Sequence, residues 1–162
     1  KREKLSEKEL SSRALAIAIA SLKYSMLKQD VNKAIVFNKE EALSFEGNTG
    51  PYLLYTYARA KSILRKAKKS KFKIESLNEK EKSLILQLSK FPEAVQHAYD
   101  QLSPNLIANY AYSLSQNFNE FYHSEKVLGA PNESFRLALV ESFSQVLKNS
   151  LSLLGIKTIE KM

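Results

Sequence analysis

The chain has 162 residues, 44 % of them hydrophobic, and 25 Lys and Arg against 17 Asp and Glu give a formal net charge of +8. That length suits one domain burying about 70 % of its unfolded-state surface. The lack of cysteine excludes disulfides, thiolate metal sites and cysteine nucleophiles, and it fits a reducing, cytoplasmic setting.

With His97 and His123 as the only histidines and Asp30 and Asp100 as the only aspartates, zinc or iron ligation has almost no material, so no metal site is assigned. The most apolar stretch, Ala14 to Leu22, is far shorter than the ~20 residues of a bilayer span. The N-terminus carries Lys1, Arg2 and Lys4 but no apolar core with a small-residue cleavage site, so it does not read as a secretory signal. Opening without an initiator methionine, it reads as a chain cut from something longer.

Four glycines and four prolines leave long uninterrupted stretches with helical periodicity, which predicts an all-α bundle. Ser6 with Glu9 forms a capping box before a helix to about Lys28. Ala34 to Phe37 is the one expected extended segment. Asn38 with Glu41 caps a short helix that Gly47 ends, and Thr49 and Pro51 open a long helix expected to reach about Lys69. Asn78 with Glu81 caps a helix to Ser89, and Pro92 starts another to Leu102. Ser103-Pro104 starts a longer helix with Ile107, Tyr110, Ala111, Leu114, Phe118, Phe121 and Tyr122 on an apolar stripe. Gly129 and Pro131 break it. A last helix, about Asn132 to Leu154, aligns Leu139, Val140, Phe143, Leu147, Leu151 and Leu154, with Gly155 at the position of a C-terminal cap.

The charge is not spread evenly. Arg59, Lys61, Arg65, Lys66, Lys68, Lys69, Lys71 and Lys73 fall in fifteen residues without an acidic one, a surplus equal to that of the whole chain. In the helix from Pro51, Leu53, Tyr57, Ala60, Leu64 and Ala67 make a core stripe. Tyr52, Tyr55, Arg59 and Lys66 line up on another face. Aromatic rings stack on unpaired bases while Arg and Lys neutralise phosphates, so this face suits a single-stranded RNA loop. The alternative is that the tyrosines are core residues with satisfied hydroxyls and the lysines a solvated face; from spacing alone both readings stand.

His123 has no neighbouring nucleophile, and Glu120 and Glu125 are its only local carboxylates, so it reads as a surface histidine. His97 and Asp100, three apart, read as a local helix pair. No catalytic residue is assigned.

The string Ser44-Phe45-Glu46-Gly47-Asn48-Thr49-Gly50-Pro51-Tyr52-Leu53-Leu54-Tyr55-Thr56-Tyr57-Ala58-Arg59, continuing Ser62-Ile63-Leu64-Arg65-Lys66-Ala67, closely resembles the junction of the catalytic and anticodon-binding domains in arginyl-tRNA synthetases. The ending, Leu153-Leu154-Gly155-Ile156-Lys157 through Ile159-Glu160-Lys161-Met162, is similar to that family's terminus. Ala18 to Tyr24 resembles its helix after the second nucleotide-binding signature. The resemblance covers essentially the whole chain. It implies that residues 1–46 are the tail of the catalytic half (helix, short strand, short helix) and 47–162 an α-helical anticodon-binding domain of the class I synthetase type.

It further implies an anticodon-loop grip by Tyr55, Arg59, Tyr122 and Met162, with Lys126 where the family has a second aromatic. Lys61, Arg65, Lys66, Lys69 and Lys126 would then hold the backbone. Ala34 to Asn38 departs from the family, which has an acidic residue directly after that strand. The family's His-x-Gly-His signature and Lys-Met-Ser-Lys-Ser-like loop do not occur in this sequence. The implied partners are therefore an arginine-accepting tRNA and an N-terminal catalytic domain, with ATP a cofactor of the full-length enzyme and none of this fragment. A stand-alone basic helical RNA-binding protein is the alternative. A membrane-surface module is disfavoured because the basic run has only Ile63, Leu64 and Phe72 as large apolar residues.

Overall fold

In the computed structural model of the chain, residues 6–67 and 76–162 are described. Local capping chemistry sets most helix starts. Ser6 Oγ accepts from Glu9 N while Glu9 Oε2 accepts from Ser6 N, opening α1 (Glu7–Leu27); those bonds hold the exposed Glu9 carboxyl below its usual range. Asn38 caps α2 (Lys39–Ala42) through Glu41 N. Thr49 Oγ1 accepts from Tyr52 N and donates to the Ser44 carbonyl, tying the start of α3 (Gly50–Lys66) to the loop before it. The Asn78–Glu81 box opens α4 (Glu79–Ser89), followed by α5 (Phe91–Asp100), α6 (Asn105–Ser124) and α7 (Glu133–Leu153).

Two boundaries differ from expectation. The long helix ends at Lys66, not Lys69, because Ala67 turns extended at φ −67°, ψ 140°. Carrying the helix further would stack Lys69 one turn from Arg65 and Lys66, a like-charge arrangement that disfavours helix. Ala34 to Phe37 forms no strand, and there is no strand among the described residues. A strand requires a partner for its backbone groups. Ile35, Val36 and Phe37 are instead exposed, with Val36 88 % accessible.

The core forms where α3, α6 and α7 meet, with α4 and α5 against α6 and α1 against α3. Phe118 of α6 lies flat on Phe143 of α7, centroids 3.8 Å apart and 5° from parallel. Tyr24 of α1 is wholly buried, its hydroxyl 2.6 Å from Asn48 Oδ1 and 2.9 Å from the Ala108 carbonyl. Burial pushes that phenol far above its usual range. The approach of α1 to α3 is closer still. A Cβ on Gly50 would stand 2.5 Å from the Ala20 carbonyl oxygen and 3.0 Å from Ser21 N, both backbone atoms with no freedom to give way.

A buried ion pair fixes the other end. Glu81, fully inaccessible, accepts from Arg136 Nε at 2.8 Å, and Arg136 also donates to Glu125 Oε2 at 2.6 Å and the Lys126 carbonyl at 2.7 Å. One guanidinium thus joins α4, α7 and the segment after α6. After α7, Gly155 at φ 65° lets Ile156 N reach the Leu151 carbonyl at 2.8 Å, a Schellman closure. The same closure after α5 has Leu102 at φ 49°, a leucine in a glycine position and 81 % exposed.

Three stability effects follow, each read by urea or thermal unfolding. Gly50→Ala, which raises helix propensity, nevertheless destabilises by about 1–3 kcal/mol through overpacking; a neutral or stabilising result would refute the close approach. Arg136→Met costs about 3–5 kcal/mol by leaving Glu81 buried without its cation, and adding Glu81→Gln recovers part of the loss. Leu102→Gly raises stability by about 0.5–1 kcal/mol, since it relieves a left-handed leucine and sacrifices no buried surface.

Candidate nucleic-acid interface

Tyr55, Arg59 and Lys66 project from one side of α3 into an open cleft of about 1140 Å³. The far wall is the end of α6 and the segment after it, with Tyr122, His123, Glu125 and Lys126. Arg13 of α1 and the terminal Glu160, Lys161 and Met162 close it. Six cations line this cleft (Arg13, Arg59, Arg65, Lys66, Lys126, Lys161) against two carboxylates, Glu125 and Glu160. Glu125 shares the Arg136 guanidinium with Glu81, and the six-to-two balance of charges leaves the cleft positive.

The geometry sorts the expected residues into groups. Tyr55 and Tyr122 are 43 % and 37 % exposed, and the Arg59 guanidinium sits between them, its Cζ 4.9 Å from one ring centre and 5.2 Å from the other. Cation–π attraction therefore ties α3 to α6 across the cleft. Tyr122 is oriented from below by Phe118, whose ring is 16° from parallel at 6.3 Å. Met162, 41 % exposed, reaches the same place from the C-terminus. Lys66 and Lys126 are exposed on opposite walls.

Lys61 and Arg65 are engaged differently. Lys61 pairs with the Glu160 carboxylate at 3.4 Å, and Arg65 Nη1 donates to the Glu160 carbonyl at 3.1 Å. Arg65 still lines the cleft, whereas Lys61 is not among its lining residues and fastens the C-terminal tail. Lys69, with Lys68, Lys71 and Lys73, lies outside the described residues.

Tyr52 belongs to both of the readings that its spacing allowed. It is half-buried, its ring edge-on to Tyr112 at 5.6 Å, and its hydroxyl accepts from Asn119 Nδ2 at 2.8 Å. Burial raises its pKa. It faces an adjoining, more apolar cleft of about 820 Å³, with Leu10, Ala14, Ile17, Phe45 and Ile159, that shares Arg13, Tyr55, Arg59, His123 and Met162 with the first. Arg59 and Tyr55 thus form the ridge between two hollows.

Sequence reasoning missed Arg13, Asn119 and Glu160. Asn119 alone carried a signal, as an amide one turn before Tyr122 and one residue after the buried Phe118. His123 is exposed and edge-on to Tyr122. Its neighbouring carboxylates are committed elsewhere, Glu120 to Lys80 at 2.7 Å and Glu125 to Arg136, so no acid–base pair forms around it. His97 faces Glu93 at 4.0 Å, and Asp100 accepts from Gln96; the two do not pair with each other. Among the described residues no cluster could hold a metal ion, and no helix is long and apolar enough to cross a membrane.

Comparison with known proteins places this arrangement. The chain is 42 % identical over 170 residues to the arginine–tRNA ligase of Flavobacterium psychrophilum and 42 % identical over 175 to that of Pyrococcus furiosus, covering all of this chain and 28 % of each relative. The structure of Thermus thermophilus arginyl-tRNA synthetase matches with a TM-score of 0.90 at 36 % identity, over 99 % of this chain and 29 % of that one. The Plasmodium falciparum arginyl-tRNA synthetase matches at 0.86 and 33 %, over 93 % and 28 %. The chain thus spans under a third of the length of these relatives. Residues 53–162, from the first turn of α3 through the cleft to the terminal methionine, match the DALR anticodon binding domain, and the chain belongs to that family.

Proposed function

We propose that residues 47–162 grip the anticodon loop of an arginine-accepting tRNA as the anticodon-binding portion of an arginyl-tRNA synthetase, with residues 1–46 the tail of its catalytic half. The observation that carries this reading is the pair of exposed rings, Tyr55 and Tyr122, flanking Arg59 in a cationic cleft of a DALR domain. Lys66, Lys126 and Arg65 hold the loop backbone, joined by Lys69 from the basic run. The outer faces of Tyr55 and Tyr122, with Met162, take splayed bases. Attachment of arginine, with its ATP, belongs to the remainder of the enzyme, and the setting is the cytoplasm.

The exposed side of α1 supports the assignment of residues 1–46. Leu15, Ile19, Leu22 and Met26, spaced 4, 3 and 4 apart, are 42–62 % accessible and form one apolar stripe. The catalytic remainder, more than two thirds of the length of the relatives, is the partner that would cover it.

Binding of arginine-accepting tRNA and a non-cognate tRNA across a salt series tests the reading. Tyr55→Ala weakens cognate binding by about 1–3 kcal/mol, the worth of one stacked base, and erases the cognate preference. Lys66→Ala with Lys126→Ala leaves the preference and lowers the slope of log K against log salt by about 1.4, two single-strand phosphate contacts. Equal, purely salt-governed binding of both tRNAs would sink the anticodon reading and favour a general basic RNA binder.

A further inference from the structure

Arg59 does not rest between the tyrosines through ring contacts alone. Its Nη1 donates to Asn119 Oδ1 at 2.7 Å. The other end of the same amide donates to Tyr52 Oη at 2.8 Å and lies 3.4 Å from Thr56 Oγ1. Thr56 spends its own proton on the Tyr52 carbonyl at 2.9 Å, so its hydroxyl presents a lone pair to Asn119. A guanidinium can only donate, so the amide oxygen must face Arg59 and its nitrogen the two hydroxyls. Tyr52 is in turn braced edge-on by Tyr112. A continuous chain of contacts therefore runs from Tyr112 on α6, through Tyr52 and Asn119, to the guanidinium.

We propose that Asn119 is a positioning residue that presets the Arg59 guanidinium between Tyr55 and Tyr122, so that Arg59 reads an acceptor-bearing base edge in the bound loop instead of swinging to a phosphate. An unrestrained arginine in a cationic cleft would pair with whichever phosphate arrives, adding affinity without discrimination. Held by Asn119 on one side and by two rings across its faces, Arg59 offers a fixed donor edge, which is what base discrimination requires. The inference rests on the RNA-loop reading above. It adds a determinant of specificity that itself need not touch the RNA.

The test uses Asn119→Leu, Asn119→Asp and Arg59→Met in this chain. The RNAs are an arginine-accepting tRNA and transcripts of it carrying single anticodon-loop base changes. Asn119→Leu removes both ends of the amide contact; Asn119→Asp keeps an oxygen for Arg59, and the Tyr52 hydroxyl can turn to donate to it. Asn119→Leu is expected to cut discrimination between the transcripts by about tenfold, the scale of one bidentate base contact, with the salt slope unchanged. Asn119→Asp retains discrimination while weakening overall binding. In the Arg59→Met background, Asn119→Leu has no further effect on discrimination. A readout free of RNA accompanies these: in the unbound protein the Arg59 Nη resonances are separated by hindered rotation, and in Asn119→Leu they collapse. Should Asn119→Leu fail to fold, the Asn119→Asp discrimination and the wild-type Arg59 resonances decide. Discrimination kept by Asn119→Leu or lost by Asn119→Asp, additive effects with Arg59→Met, or averaged wild-type Arg59 resonances would each overturn the proposal. A wild-type protein that does not discriminate at all, with its Arg59 resonances still separated, would overturn the RNA-loop reading instead.

Discussion

The close passage of α1 over the start of α3 is the constraint from which the interface geometry descends. Only a residue without Cβ fits at Gly50, because the Ala20 carbonyl occupies the space a methyl would need. Thr49, immediately before, both caps α3 and anchors it to the Ser44 carbonyl. Tyr24, one turn beyond Ala20, reaches through to Asn48 and the α6 backbone at Ala108. Helix α3 is thereby fixed in position, direction and rotation at its first turn. Since Tyr55, Arg59 and Lys66 follow within the same rigid helix, the side of α3 they leave from is settled there, while Asn119 and the two flanking rings set where the Arg59 guanidinium rests.

Much of this was readable from residues. The capping boxes at Ser6–Glu9 and Asn78–Glu81 placed α1 and α4 because both partners of each box lie within four residues, and local chemistry needs no knowledge of the fold. The α7 stripe from Leu139 to Leu154 is buried throughout, since a heavily apolar face has only one place to go. Ala34 to Phe37 failed for the complementary reason: its β-branched composition reports a local preference, while a strand exists only if another segment pairs with it. The resemblance pointed to Tyr55 and Arg59, which the structure sets together at the cleft, but spacing alone put Tyr52 in line with Tyr55. The packing of α6 then separated them, drawing Tyr52 under Asn119 and leaving Tyr55 exposed.

Charge counting was the least transferable signal. A run of cations without acids suggests that each one is available to an anion, yet Lys61 and Arg65 are already engaged by Glu160, nearly a hundred residues away in sequence. Elsewhere the structure neutralises Lys28 with Glu41, Lys80 with Glu120 and Arg136 with Glu81 and Glu125. Among the described residues, the cleft keeps six cations against two carboxylates. What sequence could not provide is which cation has a carboxylate folded onto it, because that depends on long-range packing.

The tail shows how packing and charge divide the work. Met162 arrives at the cleft because Leu154 and Ile156 are buried behind the Gly155 turn and Ile159 packs against the core cluster. Each buried aliphatic side chain of that size is worth about 1.5–3 kcal/mol of transfer free energy. The Lys61–Glu160 pair, with Glu160 60 % exposed, contributes about 0–1 kcal/mol and is screened by salt. Apolar burial therefore sets where the tail lies, and the ion pair only trims its last residues. Loss of the Lys61–Glu160 pair would consequently cost the fold little, while Met162, carried by Ile156 and Ile159, stays in the cleft.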